Sequence, residues 1–93
     1  MITKQNVELC FEQAKKYRAR YIGVVVETEG HDRPEIIINP IENFDKKLEY
    51  YKNAYTDNMV LKTYDGIRIT AIQYANTFEQ LECSLLDSEC VLI

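Results

Sequence analysis

His31 is the only histidine of this 93-residue chain, so any general-base or metal chemistry that requires an imidazole must use it. Four acidic residues lie close to it in the sequence, namely Glu27, Glu29, Asp32 and Glu35. No pair among them has the spacing of a known metal-ligand set, and no nucleophile motif surrounds the histidine. We therefore predict that His31 is an exposed turn residue and that the protein is not an enzyme, with no catalytic residue, no metal site and no cofactor.

The three cysteines, Cys10, Cys83 and Cys90, are an odd number without close Cys-x-x-Cys spacing. This pattern favours reduced thiols over a disulfide framework, and with no secretory pattern at the start it predicts a cytoplasmic protein. The longest apolar runs, at 24–26 and 36–38, are too short to cross a membrane. Residues 90–93 match the outline of a prenylation signal, but acidic neighbours replace the usual basic segment, so we predict packing or an oligomer contact for this tail.

The net charge of −4 arises in the C-terminal part of the chain. Up to residue 75, eleven basic residues are matched by eleven acidic ones, and the excess comes from Glu79, Glu82, Asp87 and Glu89. This charge lacks the footprint of a nucleic-acid-binding protein, so we predict no direct nucleic-acid binding. The four acidic residues are instead candidates for contact with a basic protein partner. The alternative is that they form a solvated helix face.

A second group of candidate binding residues, Lys62, Tyr64 and Arg68, is predicted to share the outer face of a hairpin. Like charges directly opposite each other destabilise a strand pair, so an anionic ligand would explain Lys62 facing Arg68. Tyr64 and Tyr74 would add stacking surface for that ligand. The alternative is that both long side chains extend into water. Tyr50, at the edge of a helix stripe, is the remaining candidate because tyrosine is enriched at interfaces.

Hydrophobic periodicity predicts the elements that must position these residues. The order αββαββα indicates one α+β domain over residues 1–93, with a four-stranded, mainly antiparallel sheet and helices mostly on one face. The N-terminal helix is predicted at about 4–20 with Thr3 as its cap. The first ββα unit follows at about 21–55, the second at about 59–87 and a short tail at 88–93. The valines at 24–26 predict a strand buried on both faces.

A recurring motif accompanies the two ββα units. Asn39 and Asn76 each begin the same pattern, which continues with any residue, an apolar residue, glutamate, a carboxamide and an apolar residue. Asparagine followed three residues later by glutamate is a helix-start signal, because the two side chains satisfy free backbone N–H groups. We therefore predict that Asn39 and Asn76 cap the second and third helices. The likeness indicates either a duplication or two helices that begin alike.

The register of the second hairpin follows from its turn. A three-residue loop at 64–66, with Gly66 in the left-handed conformation, would place Thr63 across from Ile67 and Lys62 across from Arg68. One face of this hairpin is then apolar and consists of Met59, Leu61, Ile67, Ile69 and Ala71. Ile72 and Tyr74 would lie on the other face, which is therefore partly apolar.

Two functional hypotheses follow from these features. The first is a small acidic binding module that occupies a surface of another macromolecule, such as an inhibitor of a basic nucleic-acid-binding protein. The second is a homo-oligomeric binder of a small anionic metabolite or nucleotide, with charge supplied by Lys62, Arg68 and Arg33. A domain of this length has a small core, so self-association is compatible with both hypotheses.

Overall fold

The structure, a computed structural model, describes residues 2–77 and 79–81 and the backbone of residues 89–92. Its elements in chain order are α1 (Lys4–Lys16), β1 (Tyr21–Thr28), β2 (Glu35–Pro40), a 3-10 turn (Ile41–Asn43), α2 (Phe44–Ala54), β3 (Ile67–Ala75) and β4 (Glu89–Leu92). Strands β3, β1 and β2 form an antiparallel sheet in that order, and β4 adds to β2 in parallel. The α+β class is confirmed, whereas the αββαββα order with its four predicted strands is not.

Helix α1 begins at the predicted cap. The Asn6 N–H donates to the Thr3 hydroxyl at 3.3 Å, and the Thr3 N–H donates to the Asn6 carboxamide at 2.9 Å, which closes a capping box. The apolar stripe of the helix then buries Val7, Phe11 and Ala14. Local sequence and packing therefore agree at this end of the chain.

The other end of α1 comes earlier than periodicity predicts. The helix ends at Lys16 rather than near residue 20, because Arg18 adopts a left-handed φ of 57°. The Ala19 N–H then donates to the Ala14 carbonyl at 2.9 Å and the Arg18 N–H to the Lys15 carbonyl at 3.2 Å. This is a Schellman motif, in which the left-handed position is usually glycine.

Arg18→Gly is expected to stabilise the protein by about 0.5–1 kcal/mol, because glycine adopts a left-handed φ without steric cost. Part of that gain is offset by the larger entropy of glycine in the unfolded chain. The exposed Arg18 side chain forms no ion pair with another described residue, so little is lost with it. Thermal unfolding should show a Tm higher by a few degrees. Gln13→Gly, exposed within α1, is the control and should lower the Tm.

Strand β1 is the central strand and is buried on both faces, as its valines predict. Ile22, Val24 and Val26 face α1 and α2, and we call this side of the sheet the inner face. At its centre the Phe11 ring packs edge-to-face against Phe44, with 5.7 Å between ring centres. Aromatic pairs in this geometry add about 0.5–1.5 kcal/mol beyond burial, so this pair joins α1 to α2.

The opposite, outer face of the sheet is covered by Leu81, which is fully buried. Residues 79–81 are helical, and a Cβ at Gly23 would lie 3.0 Å from a Leu81 methyl carbon. A larger residue at this position would push Leu81 away from β1, so glycine suits the middle of this strand. Helices α1 and α2 share the inner face, and this third helical segment lies on the other. The remainder of the predicted third helix lies outside the described residues.

A β-bulge in β3 decides which of its side chains face the core. The register between β1 and β3 shifts, which leaves Thr70 as an extra residue. Beyond the bulge, Ile72 and Tyr74 pack on the inner face. The predicted outer position of Ile72 and Tyr74 is therefore wrong, and Ala71 lies on the outer face for the same reason.

The segment before β3 pairs with it in a different register from the one predicted. Val60, not Lys62, lies across from Arg68, and the contacts are isolated bridges rather than a regular strand at 59–63. The prediction is wrong because the loop between Leu61 and β3 spans residues 62–66 and is longer than three residues. The pairing with β3 is shifted by two residues from the predicted register. A shift of two keeps each side chain on the same face of the strand, so Met59 and Leu61 share the inner face, as predicted.

Gly66 permits this longer loop without a left-handed φ. The Tyr64 ring lies over it, and a Cβ at Gly66 would be 2.6 Å from both the ring Cζ and the hydroxyl oxygen. The Glu29 N–H donates to the Gly66 carbonyl at 2.7 Å, which holds the loop against the end of β1. A side chain at Gly66 would displace the ends of the Tyr64 and Glu29 side chains, so the glycine suits close packing of the loop and not the turn conformation that the sequence suggested.

The two asparagines predicted as helix caps have other roles. Asn39 is a fully buried residue of β2 opposite Ile22, and α2 begins only after the 3-10 turn. At the second site the Thr77 hydroxyl is the cap, because it accepts from the Gln80 N–H at 3.2 Å. The Asn76 N–H donates to the Gln80 carboxamide at 2.9 Å. The two motif copies therefore differ in structure, which removes the support for a duplication.

Candidate functional site

An acidic groove lies at the end of the sheet where β1 ends and β3 begins. Its volume is about 320 Å³, and it is lined by Glu27, Thr28, Glu29, Val60, Asp65, Gly66 and Arg68. Four different segments contribute to it: the end of β1, the bridge before β3, the loop at 62–66, and the start of β3. We call these residues the acidic groove.

Backbone pairing positions the charged side chains of the groove. Glu27 and Arg68 are register partners in neighbouring strands. The bond from the Glu29 N–H to the Gly66 carbonyl brings the loop that carries Asp65 to the same place. Glu27 is thus placed by the end of β1, Glu29 lies just after it, and Asp65 lies in the loop held beside them.

The Tyr64 ring lies over Gly66, next to the groove. Its hydroxyl and a Glu29 carboxylate oxygen lie 2.6 and 2.9 Å from the same point above Gly66, so the two groups are neighbours. The side chain is nonetheless 47% exposed. An aromatic ring next to carboxylates provides both a π face and negative charge, which is the combination that recognises a Lys or Arg side chain.

The charges of the groove are not neutralised within the described part of the chain. Three carboxylates, Glu27, Glu29 and Asp65, accompany one guanidinium, that of Arg68. All four side chains are exposed, and the ion pairs described elsewhere in the chain include none of them. The described residues of the groove therefore carry an excess of negative charge.

More acidic residues lie at the same end of the sheet. Asp32 is in the turn between β1 and β2, and Glu35 begins β2. The backbone of Glu89 is the register partner of Glu35, so β4 brings a C-terminal acidic position to this end. Glu79 is exposed on the helical segment at the outer face, while Glu82 and Asp87 lie outside the described residues.

The predicted pair of Lys62 and Arg68 is not formed. Lys62 is in the loop, where its N–H donates to the Ala54 carbonyl at 2.9 Å, and Val60 takes the position across from Arg68. Because Arg68 lies among carboxylates, this region does not concentrate positive charge. The anionic-ligand hypothesis stays a prediction, but it loses the pairing on which it rested.

Tyr50 lies elsewhere, in an aromatic cluster on α2. Its ring packs edge-to-face against Tyr51 and Tyr55, and the Lys47 ammonium is 4.7 Å from its centre. Burial lowers the pKa of Lys47 and raises the pKa of Tyr51 to about 12. The exposed part of Tyr50 remains available for contact, but it is not part of the acidic groove.

Among the described residues, the reactive side chains outside the groove include His31 and Cys10. His31 is an exposed turn residue, as predicted, and its backbone N–H donates to the Thr28 backbone carbonyl at 3.0 Å. No described His, Cys, Asp and Glu side chains form a group of three that could hold a metal ion. Burial raises the pKa of the Cys10 thiol to about 11, which keeps it protonated at neutral pH. None of the described helices is long and apolar enough to cross a membrane.

The sequence missed the groove because its acidic residues are balanced by basic residues along the chain. Glu27, Glu29 and Asp65 belong to the region with no net charge, and only folding separates them from those cations. A usable signal was the acidic residue next to each turn glycine, at Glu29 and at Asp65.

No protein-family model, no curated protein and no solved structure matches this chain.

Proposed function

We propose that this protein is a non-enzymatic binding module that docks a basic segment of another protein in its acidic groove. The observation that carries the proposal is the set of three carboxylates that form no ion pair with another described residue, beside the half-exposed ring of Tyr64. A Lys or Arg side chain of the partner would lie between Glu29 and Asp65 and contact the Tyr64 ring.

The partner class with such a segment is a protein that binds nucleic acid through Lys and Arg side chains. Occupying that surface would exclude nucleic acid from it, so the module would act as an inhibitor. The additional acidic positions Asp32, Glu35 and Glu89 at the same end of the sheet would steer the approach of a basic partner. A cytoplasmic location is part of the proposal, since an odd number of cysteines suits a reducing compartment.

Fluorescence anisotropy with a labelled oligoarginine peptide tests the groove. The double variant Glu29→Gln, Asp65→Asn removes two carboxylates, and we expect its affinity for the peptide to be weaker by about tenfold. Raising the salt concentration should weaken binding to the unmodified protein more than binding to this variant, because fewer charges remain to be screened.

The matched control is the double variant Glu12→Gln, Glu49→Gln, which changes the net charge equally on exposed helix positions away from the groove. Its affinity should stay within about twofold of the unmodified protein. Equal losses in both double variants would mean that the peptide responds to net charge alone and would contradict a groove-specific site. Binding that is indifferent to salt would contradict it as well.

A further inference from the structure

Strand β3 forms one edge of the sheet. Among the described residues, only the first part of β3 forms backbone hydrogen bonds to another segment on the side away from β1. The Leu61 N–H donates to the Ile67 carbonyl and the Ile69 N–H donates to the Met59 carbonyl, both at 2.9 Å. After Ile69, residues 70–75 have no strand partner on this side among the described residues. Two-thirds of the edge is therefore open as far as the described residues are concerned.

The open stretch lacks the features that normally protect an edge strand. Residues 70–75 read Thr-Ala-Ile-Gln-Tyr-Ala and contain no charged residue, no proline and no glycine. Exposed edges are usually blocked by lysine, proline or a bulge, and the bulge at Thr70 lies only at the start of this stretch. Such a segment is suited to pairing with another strand.

The direction of the backbone groups determines what pairs with this edge. Ile67 and Ile69 have inner-face side chains, and their backbone groups point away from β1, toward residues 59–61. In a strand of fixed direction, side-chain face and N–H direction alternate together. Ile72 and Tyr74 also have inner-face side chains, so their N–H and C=O groups point to the open edge. Consistently, the Gln73 side-chain amide donates to the Tyr74 carbonyl at 3.3 Å.

We infer that β3 pairs antiparallel with β3 of a second copy of this chain, about a two-fold axis that passes through Gln73. Ile72 of one copy then faces Tyr74 of the other, and each such pair exchanges both of its backbone N–H···O=C bonds. The open stretch, residues 70–75, runs to the end of β3 in each copy, so the two stretches can lie side by side about this axis. The two sheets become one continuous sheet.

Charge and exposed surface both favour a second copy of this chain as the occupant. A two-fold axis brings identical residues together, and an edge without charges meets no like-charge repulsion there. Tyr17, which stacks on Tyr74 with 6.3 Å between ring centres, is 61% exposed. Pairing would cover this ring on the inner face of the joined sheet. The acidic groove ends at Arg68, before the paired stretch begins, so the inference does not depend on the proposed function.

Sedimentation velocity on the full chain, from about 1 to 500 μM, tests this inference. We expect the mass to rise with concentration from 10.9 kDa to twice that value. Gln73→Lys places like charges across the axis and should keep the protein monomeric, and Gln73→Glu should do the same. A one-to-one mixture of the two variants should associate again, since opposite charges then meet. Gln13→Lys, exposed on α1, is the charge-matched control and should dimerise normally.

Amide hydrogen exchange locates the contact. The Ile72 and Tyr74 amides should exchange rapidly in dilute protein and become protected as the dimer forms, while the Gln73 amide, which faces β1, should be protected throughout. Circular dichroism of each variant verifies its fold. A monomer at every concentration overturns the inference. A dimer that persists in Gln73→Lys, or a mixture that fails to associate, overturns it too.

Discussion

Asn39→Asp is expected to lower the free energy of unfolding by about 3–5 kcal/mol at pH 7, because it places an unpaired charge in the core. Asn39 is fully buried, and its amide nitrogen donates to the Ile22 carbonyl at 3.1 Å and the Ile37 carbonyl at 3.4 Å. Those two carbonyls fix the orientation of the amide. In the variant a carboxylate oxygen would replace this nitrogen and face two carbonyl oxygens.

The loss of stability should depend on pH, and the burial of the new carboxyl determines the direction of that dependence. Burial raises the pKa of this carboxyl in the folded state above the value of about 3.9 that it has in the unfolded chain. As the pH rises, the unfolded chain therefore loses its proton first, and the folded state is penalised progressively. Urea unfolding of the variant should thus approach that of the unmodified protein as the pH is lowered toward 4.

Asn39→Leu is the control, since it removes the amide without adding a charge. It leaves the Tyr51 hydroxyl without the donor that lies 3.4 Å away, and it removes the Asn39 carbonyl oxygen, which has no partner among the described residues. A loss of about 1–3 kcal/mol that does not change with pH is expected. Equal and pH-independent losses in both variants would contradict a charge penalty.

Met59→Gly is expected to lower the free energy of unfolding by about 2–4 kcal/mol, although glycine is the residue that suits its backbone. Met59 has a left-handed φ of 60°, as Arg18 does, and its N–H donates to the Thr56 carbonyl at 2.9 Å. Unlike Arg18, it is fully buried and packs in the inner core. Glycine would remove a backbone cost of about 1 kcal/mol, which is smaller than the free energy lost with the buried methionine side chain.

Met59→Leu separates the two effects, because it keeps the left-handed cost and most of the buried volume. It should cost less than about 1.5 kcal/mol. Urea unfolding of Met59→Gly, Met59→Leu and Arg18→Gly compares the same backbone state with and without burial. Stabilisation by glycine at both positions would show that backbone strain, and not packing, dominates at Met59.

The acidic groove and the exposed edge of β3 occupy different parts of the same strand and its neighbours. The groove presents carboxylates that form no ion pair with other described residues, whereas the edge presents uncharged residues farther along β3. Charged positions suit a basic partner of different sequence, and an uncharged edge suits a second copy. A dimer would carry two grooves, which would raise the avidity for a partner with repeated basic segments.

Sequence alone determined the features that depend on neighbours within a few residues. The cap at Thr3 and the double burial of β1 both follow from local periodicity and side-chain chemistry. The shared face of Met59 and Leu61 was also predictable, because side chains alternate in an extended strand whatever its register.

Only the tertiary structure decided where those local signals apply. Asn39 carries a helix-cap pattern, yet its amide binds a carbonyl seventeen residues away, because burial between β1 and α2 outweighs a local cap. No local signal marks the bulge at Thr70, which depends on how β3 lies against β1 and which moves Tyr74 to the inner face. The groove likewise exists only because strand ends bring together acidic residues that the linear chain balances with cations. Local pattern sets the conformation of a segment, while long-range burial and pairing decide which side chains meet.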